Sequence, residues 1–221
     1  MNYVNGLRID KSMNMWLATY DKGLTKYDIE KKQYTKFISN PNDTTSISGN
    51  YLLRIFLDSE ERVWIGSWGG GLSLYDSYNN KFRRFLHDPS LPESICGNII
   101  HCIFETKDSI SKTLWVGTSS GLSYMSIGDS ISGAFNHIFI KDGLPSNVIY
   151  GILEDNSGNL WISTNYGICK FNPKTGIFKN YDYKDGLQSN EFNMNAYARD
   201  RNGNLYFGGI NGLNIFNPAE I

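Results

Sequence analysis

Apolar residues in this chain come in short alternating runs, not at helical spacing. "NYLLRIFLD" (50–58), "NIIHCIFET" (98–106) and "NVIYGILED" (147–155) are such runs, and "NYVNGLRID" (2–10) falls in the same phase. Alternation with period two reads as a half-buried strand, and a short apolar run bounded by turn residues reads as a buried one. Turn signals follow, as in "DNSGN" (155–159) and "DRNGN" (200–204), and an aromatic residue then opens a second run.

The whole unit recurs. Its aromatic marker stands at Trp16, Trp64, Trp115, Trp161 and Tyr206, roughly every 45–51 residues. The copies read "WLATYDKGLTKYD", "WIGSWGGGLSLYD", "WVGTSSGLSYM", "WISTNYGICKFNP" and "YFGGINGLNIFNP". A short aromatic run closes several units: "QYTKF" (33–37), "KFRRF" (81–85) and "GIFKNY" (176–181). Each unit therefore predicts four short strands. Gly121, Gly167 and Gly212 fall between the second and third, where a two-residue hairpin turn of the primed type needs positive φ.

Four antiparallel strands at this period predict an all-β fold, a β-propeller. The chain is expected to hold five four-stranded blades, with repeats at 2–49, 50–97, 98–146, 147–189 and 190–221. The last unit stops at Ile221 without its fourth strand, so its blade is incomplete. A blade cannot bury its faces alone, which is why the unit is repeated. The recurring tryptophans belong to the blade interfaces, as core and not as ligand contacts.

Composition narrows the function classes. The 221 residues are 40% hydrophobic and 14% aromatic, enough to bury a core, and the formal net charge is −1. With no Lys/Arg run, no nucleic-acid footprint exists. No apolar stretch reaches the roughly 18–20 residues of a membrane helix, and the N-terminus lacks the form of a signal peptide. A secreted or membrane-bound parent would make this chain an excised piece. Three cysteines are too few and too odd for a disulfide framework. His87, His101 and His137 lie far apart, so no zinc site is expected. "DNSGN" and "DRNGN" lack the spaced carboxylates and terminal Glu of a calcium loop and read as turns. No metal or cofactor is expected.

"DSEERVWIGSWGGGLSLYD", "EDNSGNLWISTNYGICKFNP" and the connecting "KDGLPSNVIYGI" resemble the two-component regulator propeller repeat. "YKDGLQSNEFNMNAYARDRNGNLYFGGINGLNIFNP" looks like the last repeat of such an array. The resemblance covers essentially the whole chain. It implies two seven-bladed propellers in the periplasmic sensor region of Bacteroidetes hybrid two-component proteins. An immunoglobulin-like domain, membrane helix, histidine kinase, receiver and AraC-type domain usually follow. It also implies sensing of oligosaccharides released from glycans. This chain departs from that pattern in extent, with five repeats and no kinase motif. The expectation is an open arc cut from a seven-bladed propeller, non-enzymatic, in the periplasm as part of a membrane-anchored parent. Its uncovered terminal faces or edges are expected to pack against another copy.

Propeller topology puts the loops that enter each inner strand and the loops between second and third strands on one face. Aromatic faces with amide neighbours suit sugar rings. Tyr20, Trp68, Asn165, Tyr166 and Asn211 are therefore the candidate ligand-binding residues, and the partner is an oligosaccharide. Asp142, Asp185, Asn147 and Asn190 are read as satisfying backbone groups at blade-to-blade turns. Cys102 aligns with Arg54 and Gly151 as an axis-lining residue, and His101 beside it points to the opposite face. Two alternatives stand beside sensing: a propeller enzyme (lyase or glycan hydrolase), and a structural spacer. An enzyme needs convergent acid/base groups, and the spacing supplies no carboxylate pair.

Overall fold

The computed structural model describes residues 3–108 and 111–221; Asn2, the first residue of the expected opening repeat, lies outside them. Among the described residues nineteen strands form five antiparallel sheets, one after another along the chain. The first blade holds β1 (Val4–Ile9), β2 (Asn14–Thr19), β3 (Leu24–Asp28) and β4 (Gln33–Phe37). The second holds β5 (Leu52–Leu57), β6 (Val63–Ser67), β7 (Leu72–Asp76) and β8 (Lys81–Phe85). The third holds β9 (Ile100–Lys107), β10 (Lys112–Thr118), β11 (Leu122–Ser126) and the three-residue β12 (Asn136–Ile138), an outer strand its sequence did not announce. The fourth holds β13 (Ile149–Glu154), β14 (Leu160–Thr164), β15 (Ile168–Asn172) and β16 (Ile177–Tyr181). The fifth has only β17 (Phe192–Arg199), β18 (Leu205–Gly209) and β19 (Gly212–Phe216), incomplete as expected. Helical structure among the described residues is confined to three single 3-10 turns.

The innermost strands β1, β5, β9, β13 and β17 pack in succession around the axis. Between neighbouring blades lies a separate apolar cluster, and each of the four repeat-marking tryptophans sits in the one shared with the next blade. Trp16 joins Ile55 and Ile65, and Trp64 joins Ile103 and Val116. Trp115 joins Ile152 and Phe171, and Trp161 joins Phe192 and Phe207. The arc is open: Val4, Leu7 and Ile9 of the first blade and Leu213 and Ile215 of the fifth are exposed.

A polar device holds each hairpin under its ring. The indole Nε1 of Trp16, Trp64 and Trp161 donates to Asp10, Asp58 and Asp155 at 2.8–2.9 Å, and the Tyr206 hydroxyl bonds Asp200 at 3.1 Å. The same carboxylates accept backbone N–H groups of their own turns. This is why "DNSGN" and "DRNGN" are turns: their acidic oxygens point inward to donors. The third blade departs, with Trp115 donating to Thr106 Oγ1 at 2.8 Å.

The turn reading needs one correction. Gly121, Gly167 and Gly212 do have positive φ, but three residues, not two, separate β10 from β11 and β14 from β15. Thr118 N donates to Gly121 O, and Thr164 N donates to Gly167 O. At Gly167 a neighbour that local spacing cannot show takes the glycine N–H. Gly23, Gly71 and Gly167 donate their N–H to the carbonyls of Asn50, Asn98 and Asn190 on the next blade. A Cβ at Gly167 would also strike the Tyr181 carbonyl.

Candidate ligand-binding face

These glycine bonds place the loops between second and third strands against the loops that enter the next blade. Bonds within each blade do the same: Tyr20 N donates to Tyr3 O at 3.0 Å, and Trp68 N to Tyr51 O at 2.7 Å. The backbone beneath this face is tied down by asparagine. Asn50, Asn98, Asn147 and Asn190 each accept a backbone N–H through Oδ1 at 2.8–2.9 Å. Asp142 and Asp185 accept from Phe139 N and Asp182 N. The polar side chains of the "DGL" segments thus satisfy backbone.

With the polar atoms so engaged, aromatic rings are left standing out. Tyr20 is 51% exposed and Trp68 is 52% exposed. The Tyr20 ring meets Tyr51 edge-on at 5.3 Å and Tyr3 edge-on at 6.5 Å. Tyr3, Tyr20 and Tyr51 therefore form a row across the first two blades, and Trp68 follows through its backbone bond to Tyr51. The sequence reading named Tyr20 and Trp68 as candidates and did not name Tyr3 or Tyr51. Their signal was the repeated Asn-Tyr before the first two inner strands, where the later units carry Asn-Ile, Asn-Val and Asn-Glu.

The other candidates lie on separate loops of the same series. Tyr166 is exposed on the fourth blade, and beside it Asn165 Oδ1 accepts from Ser146 Oγ at 2.9 Å. Asn211, on the fifth blade, is held by Gln188: its N donates to Gln188 Oε1 at 2.7 Å and its Nδ2 to Gln188 O at 3.3 Å. Tyr20 thus stands in a row with Tyr3 and Tyr51, Trp68 is linked to Tyr51 only through its backbone, and Asn165, Tyr166 and Asn211 lie on later blades.

Nucleophilic chemistry finds no support at the buried thiols. Burial pushes Cys102 and Cys169 up to about 12, so both stay protonated near neutrality. His101 is buried, with Nδ1 hydrogen-bonded to Ile149 O at 3.0 Å, and desolvation lowers its pKa. On the opposite face a groove of about 530 Å³ opens between the third and fourth blades, lined by Trp115, Asp155, Asn156 and Lys174 among others.

Comparison with known proteins agrees with the propeller fold. The two-component regulator propeller model matches residues 143–166. The extracellular domain of a hybrid two-component system from B. thetaiotaomicron superposes with a TM-score of 0.83 at 29% identity, over 98% of this chain and 28% of that one. The extracellular domain of a one-component system from the same organism gives 0.79 at 25% identity, over 98% of this chain and 30% of that one. A histidine kinase of Formosa agariphila is 41% identical over 80 residues, 36% of this chain and 6% of that protein. The chain therefore spans less than a third of each of these relatives. It is an open array of propeller blades in which residues 143–166 match the two-component regulator propeller repeat, and its fold is similar to that of those extracellular domains.

Proposed function

We propose that this chain is part of the periplasmic ligand-sensing propeller of a hybrid two-component sensor and that its ligands are oligosaccharides. The observation that carries the reading is the row of Tyr3, Tyr20 and Tyr51, continued by Trp68, on a face whose backbone is already rigid. Sugar rings present C–H patches to aromatic faces, and their hydroxyls suit amides such as Asn165 and Asn211 further along the arc. Contiguous exposed aromatics mark interaction surfaces more often than lone ones do.

The test is a glycan array on the isolated chain, followed by calorimetric titration of the best binder. Trp68→Ala or Tyr20→Ala is expected to weaken binding by about 1–2 kcal/mol, roughly tenfold. Neither is expected to move the melting temperature by more than about 1 °C, since exposed substitutions of this kind cost little. Absence of any glycan binder, or unchanged affinity in both variants, overturns the reading. Cleavage of a bound glycan would favour the enzyme alternative.

Uncovered blade ends fit the same picture. In the longer protein, further blades would cover Val4, Leu7 and Ile9 at one end and Leu213 and Ile215 at the other. In the isolated chain a second copy covers them, because apolar patches of this kind are seldom left open on a monomer. Light scattering at micromolar concentration is expected to give at least twice the mass of one chain. Leu7→Asp together with Ile215→Asp is expected to restore the monomer. A monomeric wild-type chain would dispose of the idea.

A further inference from the structure

Arg54 stands on the innermost strand of the second blade, in the register position filled by Gly6, Cys102 and Gly151 in the first, third and fourth. Only 8% of its surface is exposed. Nη1 donates to Leu53 O at 2.7 Å. Nε and Nη2 are buried and donate to no acceptor among the described residues. The titratable neighbours that act on it most are Tyr197, Cys102 and Arg8, none of them a carboxylate. A guanidinium stays charged even when buried, and a buried charge without a counter-charge is costly.

Tyr197 completes the arrangement. It occupies the position that Ile55, Ile103 and Ile152 hold in the preceding blades. The strand carrying it is irregular: its register jumps between Phe192 and Tyr197, and Asn195 has φ of +62°. The displaced ring lies over Gly151, where a Cβ would strike it. Its phenol is a hydrogen-bonding neighbour of the Arg54 guanidinium, while Nε and Nη2 keep no acceptor at hydrogen-bond geometry among the described residues. Burial raises the phenol's pKa, so it keeps its proton.

We propose that the propeller axis holds an oxyanion site in which Arg54 Nε and Nη2 donate as a fork and the Tyr197 hydroxyl donates a third hydrogen bond. The ligand class is a planar or tetrahedral group with two adjacent negative oxygens, a carboxylate or a sulfate or phosphate. Arg matches that geometry in a bidentate way that no other side chain does. The site accepts one such group and is independent of the aromatic face.

The experiment uses the chain labelled with ¹⁵N-arginine and follows its Nε–H resonances. Sodium acetate and sodium sulfate are titrated separately at constant ionic strength against sodium chloride. One resonance, absent in Arg54→Leu, is expected to shift saturably. The melting temperature should rise saturably with the same anion in the wild type and not in Arg54→Leu, and Tyr197→Phe should weaken the effect roughly tenfold. A response to acetate alone assigns a carboxylate site, to sulfate alone a tetrahedral-anion site, and to both a general one. If neither anion moves the resonance beyond the chloride control, or if Arg54→Leu gains the same thermal shift as wild type, the site does not exist. Should Arg54→Leu fail to fold, the wild-type titration against chloride still decides.

Discussion

Trp161→Ala is expected to lower the stability of the chain by about 3–5 kcal/mol, the range for emptying a large aromatic from a core. The indole is 1% exposed and sits between the fourth and fifth blades with Leu153, Phe192 and Phe207. Its ring lies 4.8 Å from Phe216 and stacks on Tyr181 at 5.6 Å. Both partners come from other strands, so neither can collapse into the void without shifting a sheet. The substitution also removes a donor from Asp155. Domains typically hold only about 5–15 kcal/mol in total, so the fifth blade should detach or the chain should unfold. Urea denaturation followed by tryptophan fluorescence measures the loss. Tyr206→Ala is the internal control. It is the equivalent ring on the last blade, with no further blade against it, and should cost about 1 kcal/mol. A loss below about 1 kcal/mol for Trp161→Ala would mean that the blade interfaces do not carry the fold.

That contrast shows why the architecture could be read from sequence. The ring, the glycine and the alternating runs recur because every blade faces the same packing problem, and a repeated problem writes a repeated pattern. Features that depend on one particular neighbour did not repeat and were not read. The bonds from Gly23, Gly71 and Gly167 to the Asn50, Asn98 and Asn190 carbonyls do repeat, but they cross between blades, so the local spacing around Gly167 did not show them. Tyr3 and Tyr51 were read as strand alternation, since their exposure depends on where the adjoining loops end. Arg54 was noticed only for its alignment with Cys102. Its missing acceptor appears only when Tyr197 is brought near it by an irregular strand over a hundred residues later. The carboxylates of Asp10, Asp58, Asp155 and Asp200 were legible in principle. Each stands six residues before its ring, an offset that a hairpin converts into a hydrogen bond.

Asp155→Asn tests whether that hydrogen bond matters, and the expected loss at neutral pH is about 2–3 kcal/mol. Asp155 is buried and accepts from Ser157 N, Asn159 N, Asn159 Nδ2 and Trp161 Nε1 at 2.9–3.2 Å. Burial is the strongest single influence and pushes its pKa up. The side chains of Asn159 and Trp161 and the backbone N–H groups of Asn159 and Ser157 together outweigh it, and the carboxyl sits below its ordinary value. An unfolded Asp titrates near ~3.9. A group depressed in the fold binds fewer protons there than in the unfolded chain, so its stabilisation is fully present above that value. It is lost as pH falls through the lower folded value. An asparagine in its place turns an NH₂ toward donors and leaves at least one of them unpaired, at every pH. The gap in stability between wild type and Asp155→Asn should therefore be widest above about pH 5 and should narrow steadily toward pH 2. Denaturation curves at a series of pH values follow it directly. A gap that stays constant across that range would show that the carboxylate's charge contributes nothing and that Asp155 acts only by shape.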